Sequence, residues 1–151
     1  MKRFLIGITL CFLCFALTPA HAQRVCPDSF DSKPCTPITA SATGTTGAIT
    51  ATLPAVAGKT TYFCGFQFMR TNATAPNTAT NVTITGTIRG TMNFGYPTLA
   101  AAAMVANTPP VGEVFTPCIA ASAINTAIVV NGPALGAGAT LVTVSAWGYQ
   151  L

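Results

Sequence analysis

Charge is the scarcest thing in this chain of 151 residues: only 7% of positions are Asp, Glu, Lys or Arg, and acids number 3. Histidine occurs once, at His21. A glycosidase needs a pair of carboxylates flanking the bond it breaks. Here they would have to come from Asp28, Asp31 and Glu113, two of which sit in a short polar loop where turn and solvation roles suffice. A hard-cation site wants several carboxylates in one loop, and that too is missing. Neither GxSxG, a P-loop nor HExxH is present. The composition thus points to a protein with no catalytic residues, no metal and no cofactor.

The N-terminus reads as a leader for export. Met1-Lys2-Arg3 is basic, Phe4 to Leu17 is apolar apart from Gly7 and Thr9, and Ala20-His21-Ala22 ends in the small-x-small pattern of signal peptidase. The apolar run is shorter than the roughly 20 residues a spanning helix needs. Cys26 lies too far past that point for a lipoprotein, and Phe12 stands where a pilin-type leader carries Glu. Residues 1–22 are therefore expected to be cleaved, leaving no stable membrane span and a secreted, extracellular or periplasmic product. Cleavage also discards His21, so a Ser-His-Asp or Cys-His arrangement has no base. Arg24, Lys33, Lys59, Arg70 and Arg89 against the three acids leave a small, scattered positive excess. That is no nucleic-acid footprint. So neutral a surface, relying on Thr, Asn and Ser for solubility, tolerates close self-association.

Four cysteines survive cleavage: Cys26, Cys35, Cys64 and Cys118. In an exported chain they imply two disulfides, with three pairings open. Cys26 with Cys35 is favoured, because the proline-bounded segment between them closes locally, and Cys64 would then pair with Cys118 across the core. A structural zinc is disfavoured, since there is neither a CxxC pair nor a histidine in the mature chain.

What the chain does have is β-strand pattern. Short runs rich in Thr, Val, Ile and aromatics alternate with Gly and Pro, predicting strands near Ile38–Ala42, Ala48–Leu53, Thr60–Met69, Asn81–Arg89, Thr91–Tyr96, Val111–Thr116, Ala127–Val130 and Leu141–Gln150. Strict alternation puts Tyr62, Cys64, Phe66 and Phe68 on one face of the third strand, and Phe63 and Gly65 on the other. In the fourth it puts Val82, Ile84, Gly86 and Ile88 inside and Thr83, Thr85 and Thr87 outside. Leu99–Ala106, between prolines, is a candidate for a helical turn or two. About eight short strands with turn signals between them make an all-β fold, an antiparallel sandwich or barrel. Residues 23–47 read as a cysteine-bounded loop and lead-in, and 48–151 as the β-domain.

Binding signals are few. Trp147 and Tyr149 share a strand face, with Tyr96 elsewhere, and aromatics in a row can stack on sugar rings; core or interface packing is the plainer reading of all three. The threonine row of the fourth strand is a solvated β-face, since ice binders repeat such rows over many strands. Asn72-Ala73-Thr74 and Asn81-Val82-Thr83 fit the glycosylation sequon and are read as chance matches.

Three stretches carry a resemblance: Pro54 to Phe66 around Tyr62-Phe63-Cys64-Gly65, Phe115-Thr-Pro-Cys-Ile-Ala-Ala-Ser122, and Asn125 to Tyr149 ending Val-Ser-Ala-Trp-Gly-Tyr. Over residues 48–151 the chain resembles small uncharacterised secreted or phage-associated Ala/Thr/Gly-rich bacterial proteins with a jelly-roll-like β-sandwich. The resemblance implies that topology and brings no site residues with it. Virions assemble in the cytoplasm, so a leader peptide favours a host exported protein. The function expected from the whole reading is a non-enzymatic structural or surface-interaction protein, self-associating into a homo-oligomer or surface polymer, with a small lectin-like module as the alternative.

Overall fold

The computed structural model describes residues 26, 34–73, 79–97, 110–136 and 139–151; the leader, most of the Cys26–Cys35 loop (with Asp28 and Asp31) and the helix candidate Leu99–Ala106 lie outside them. Eight strands run along the chain: β1 (Thr36–Gly44), β2 (Ile49–Leu53), β3 (Thr61–Ala73), β4 (Thr80–Thr87), β5 (Gly90–Tyr96), β6 (Val111–Ala120), β7 (Ile128–Gly132) and β8 (Ala139–Gln150). Each coincides with a run picked out in the sequence. The lead-in carries β1, which pairs along its whole length with β8.

The strands form two four-stranded sheets, ordered β1-β8-β3-β6 and β2-β7-β4-β5, and every pairing is antiparallel. This interleaving, with neighbours far apart in sequence, is the jelly roll. Its core is the space between the sheets. Leu53, Val82, Ile84, Ile128 and Val130 of one sheet face Phe63, Phe66, Phe68, Val142 and Val144 of the other. Ring contacts bridge the layers: Phe66 of β3 lies 4.8 Å from Phe94 of β5, and Phe68 meets Tyr96 edge-on at 5.1 Å. The side chain of Arg70, the next inward position of β3, is also buried.

Two strands depart from strict alternation, each at a glycine. Between the pairs Phe63–Ile119 and Gly65–Val114, β3 spends Cys64 alone while β6 spends Phe115 to Cys118. The phase of β3 flips there. Phe63 is buried with Phe66 and Phe68, whereas Tyr62, expected beside Phe66, turns to the other face. The freed part of β6 sends Phe115 into the core, 5.4 Å from Phe63. In β4 the register slips between Ile84 and Thr87, and Gly86 adopts φ 84°. A side chain there would collide with the Ala127 carbonyl, so only glycine fits. Past that bulge the faces exchange: Thr87 is 2% exposed and its hydroxyl donates to the Gly90 carbonyl at 2.9 Å, while Ile88, expected inside, is 69% exposed.

One end of the sandwich is tied by hydrogen bonds between loops, from side chains as well as main chain. Asn125, at φ 61°, accepts from the Gly58 amide at 2.6 Å and donates its own N–H to the Lys59 carbonyl at 3.1 Å. The C-terminal strand is locked there too. Gln150 Nε2 donates to the Pro54 carbonyl at 2.8 Å, and the Thr61 hydroxyl donates to that same oxygen at 3.1 Å. Buried polar groups are tolerable when bonded in this way.

Candidate functional site

The four cysteines lie as the favoured pairing has them. Cys26 and Cys35 are joined with Cα atoms 5.9 Å apart, and Cys64 and Cys118 with Cα atoms 4.3 Å apart. The second bond spans the irregularity between β3 and β6, linking the one extra residue of β3 to the last of the four of β6. Disulfides persist in oxidising compartments. Among the described residues no helix is long and apolar enough to cross a membrane, and no three metal-ligating side chains cluster.

The three aromatic candidates occupy three different settings. Tyr96 is 1% exposed, with its ring packed edge-on against Phe68. Tyr149 is 5% exposed and lies stacked on Tyr62, ring centroids 4.8 Å apart and planes 11° from parallel. Trp147 is half-buried on the outer face of the β1-β8-β3-β6 sheet, between Thr39 of β1 and Gly65 of β3. Tyr149 is a packing residue in this setting. Tyr96, though buried, lines an open depression of about 550 Å³ with Thr80, Asn81, Gly95 and Pro97. Trp147 is the one of the three that is half-exposed.

The indole rests on the backbone of Gly65. A β-carbon at that position would come within 2.5 Å of Trp147 Cζ2 and 2.7 Å of Cε2, so any other residue would lift the ring off the sheet. The β3 bulge helps set this arrangement, because it brings Gly65 opposite Trp147 after the phase change. Beside the indole is an open depression of about 420 Å³ lined by Phe66, Gln67, Pro110, Gly112, Glu113, Val114 and Trp147. Val114 stands 66% exposed at its β6 edge. Gln67 pairs with Gly112 and faces outward with the indole. Glu113 pairs with Phe66, an inward position, so its Cβ starts on the opposite side of β6. Its carbonyl oxygen, not its carboxylate, is the group closest to Gly65.

The groove therefore offers a flat aromatic ring, the aliphatic groups of Val114 and Pro110, one amide and main-chain polar groups. Its chemistry suits a neutral ligand with an apolar face and hydroxyls around it. Gln67, Val114 and Pro110 carried no mark in the sequence that set them apart. The signal that was there is Gly65, since an isolated glycine within a strand pattern announces a bulge or a close approach.

The opposite sheet turns a different surface outward. Thr50, Asn131, Thr83 and Asn93 lie in register across all four strands of β2-β7-β4-β5. Two hydroxyl-to-amide bonds knit the row, Thr50 Oγ1 to Asn131 Oδ1 at 3.0 Å and Thr83 Oγ1 to Asn93 Oδ1 at 3.2 Å. The threonine pattern read along β4 is thus interrupted at Thr87, and the regular array runs across the strands. Searches against protein-family models, curated proteins and solved structures gave no match for this chain.

Proposed function

We propose that this protein is a non-enzymatic, exported binding module that takes a neutral saccharide on the groove beside Trp147. The observation that carries the proposal is the indole lying against Gly65, with Gln67 lining the same depression. A sugar ring has an apolar C–H face that stacks on an aromatic plane, while its hydroxyls need fixed polar partners at the rim. Gln67 and the main chain of Gly112 to Val114 provide those partners. With no charged side chain starting on the groove's face, a neutral ligand is preferred to a uronic acid or an amino sugar. Among the described residues Glu113 is the one acid lining the groove, and one carboxylate does not make the pair that glycoside hydrolysis requires. The leader pattern and the paired cysteines support export.

The chain contains 1 tryptophan, which makes intrinsic fluorescence a report on this site alone. Titration with a panel of neutral oligosaccharides is expected to shift the Trp147 emission for at least one of them. Trp147→Ala should lower the affinity for that sugar, measured calorimetrically, by about tenfold, the order expected of a lost aromatic stack. A panel with no emission change, or a bound sugar held equally well by Trp147→Ala, ends the proposal.

A further inference from the structure

A sandwich of two open sheets has four edge strands, and an exposed edge pairs with other strands unless something prevents it. Three of the four edges here carry such a device. β1 contains Pro37, β6 contains Pro117 and Glu113, and β2 is only 5 residues long. The fourth, β5, is 7 residues of sequence Gly-Thr-Met-Asn-Phe-Gly-Tyr, with neither proline nor charge inside it; Pro97 follows it, as Pro54 follows β2. Among the described residues it pairs only with β4.

We infer that β5 is where two copies of this chain join, edge to edge, across a two-fold axis at Asn93. An antiparallel pair of identical strands is self-complementary about such an axis, and pairing Thr91–Gly95 with itself sets the register. Asn93 then faces its own copy, Thr91 faces Gly95, and Met92 faces Phe94. Every pair has both members on one face, as a sheet requires. Met92 and Phe94 are half-buried at the inner rim of β5, so the pairing places a thioether against an aromatic ring and removes both from water. On the outer face the row Thr50–Asn131–Thr83–Asn93 ends on the amide whose oxygen already accepts from Thr83. The copy's Asn93 supplies an oxygen for its NH₂ group, and the row continues through eight strands. No charge opposes the approach, as the outward residues of β5 are Thr91, Asn93 and Gly95.

The test uses the oxidised protein in sedimentation velocity over a wide concentration series. A monomer–dimer equilibrium is expected. Asn93→Lys places like charges directly opposite one another and should weaken dimerisation about tenfold at low salt. Thr50→Lys, on the outer face of the far edge β2, should leave it unchanged. Asn93→Cys should give a reducible covalent dimer and Thr50→Cys should not. A chain that is monomeric at every concentration overturns the inference, as does a dimer insensitive to Asn93→Lys or one that Thr50→Cys crosslinks instead. Trp147→Ala should dimerise like the parent, so this outcome is read separately from saccharide binding.

Discussion

The two bulges of this sandwich do opposite things with the same device. In β3 the phase breaks at Cys64–Gly65 and the consequence is outward: the indole of Trp147 comes to rest on glycine, beside a groove. In β4 it breaks before Thr87 and the consequence is inward: a hydroxyl is buried to bond the hairpin and an isoleucine is expelled. The first bulge faces a partner strand that is itself irregular and is held by the Cys64–Cys118 bond. The second needs no crosslink, because a two-residue turn at Ile88–Arg89 follows at once and closes the hairpin locally. Bulges redirect side chains at sheet edges and beside binding sites. In these two strands a glycine marks a change of phase, and which way the change serves the protein depends on the neighbouring strand.

The strongest way to break this comparison is to test the phase of β3. Phe63 is fully buried, so Phe63→Ala should cost about 3–5 kcal/mol in urea denaturation, the range for large core truncations. Tyr62→Ala should lose chiefly its stack on Tyr149, about 0.5–1.5 kcal/mol. Equal losses, or the reverse order, would mean that β3 keeps strict alternation through Cys64.

The crosslink at the first bulge comes next. By the chain-entropy model, replacing Cys64 and Cys118 with serine should cost about 4 kcal/mol, and replacing Cys26 and Cys35 about 2.5 kcal/mol. The difference follows from sequence separations of 54 and 9 residues. Reductant should lower the melting temperature mainly through the longer loop. A melt unchanged by reductant would contradict both bonds.

The smallest effect belongs to the second bulge. Ile88 is mostly in water, so Ile88→Thr should change stability by no more than about 0.5 kcal/mol. A cost of several kcal/mol would place it back inside and restore the alternation that the strand's own pattern suggests.

Strand by strand, the pattern was legible because period-2 alternation is a local property: each run must present one apolar face, and Gly and Pro must separate the runs. The faces were legible only where no bulge intervened. In β8, Val142, Val144 and Ala146 are inside and Leu141, Thr143 and Trp147 outside, as their alternation reads. In β3 and β4 the same rule misplaced Phe63, Tyr62, Thr87 and Ile88, because one extra residue inverts every side chain after it. Of the aromatic candidates, the pattern put Trp147 and Tyr149 on one strand face, and both lie on the outer face of the β1-β8-β3-β6 sheet. It had no means of knowing that Tyr149 would lie under Tyr62, or that Tyr96 would close on Phe68.

By itself the sequence determined an all-β chain of about eight strands, poor in charge, with cysteines spaced for one short and one long loop. Those properties follow from residue chemistry and local geometry, which need no partner strand to be read. The tertiary structure decided the rest. The order β1-β8-β3-β6 over β2-β7-β4-β5 brings together residues far apart in the chain, and pairing between distant strands has no trace in the period of either one. Only that assembly laid Trp147 on Gly65, set Gln67 beside it and left β5 as the edge with no proline or charge inside it.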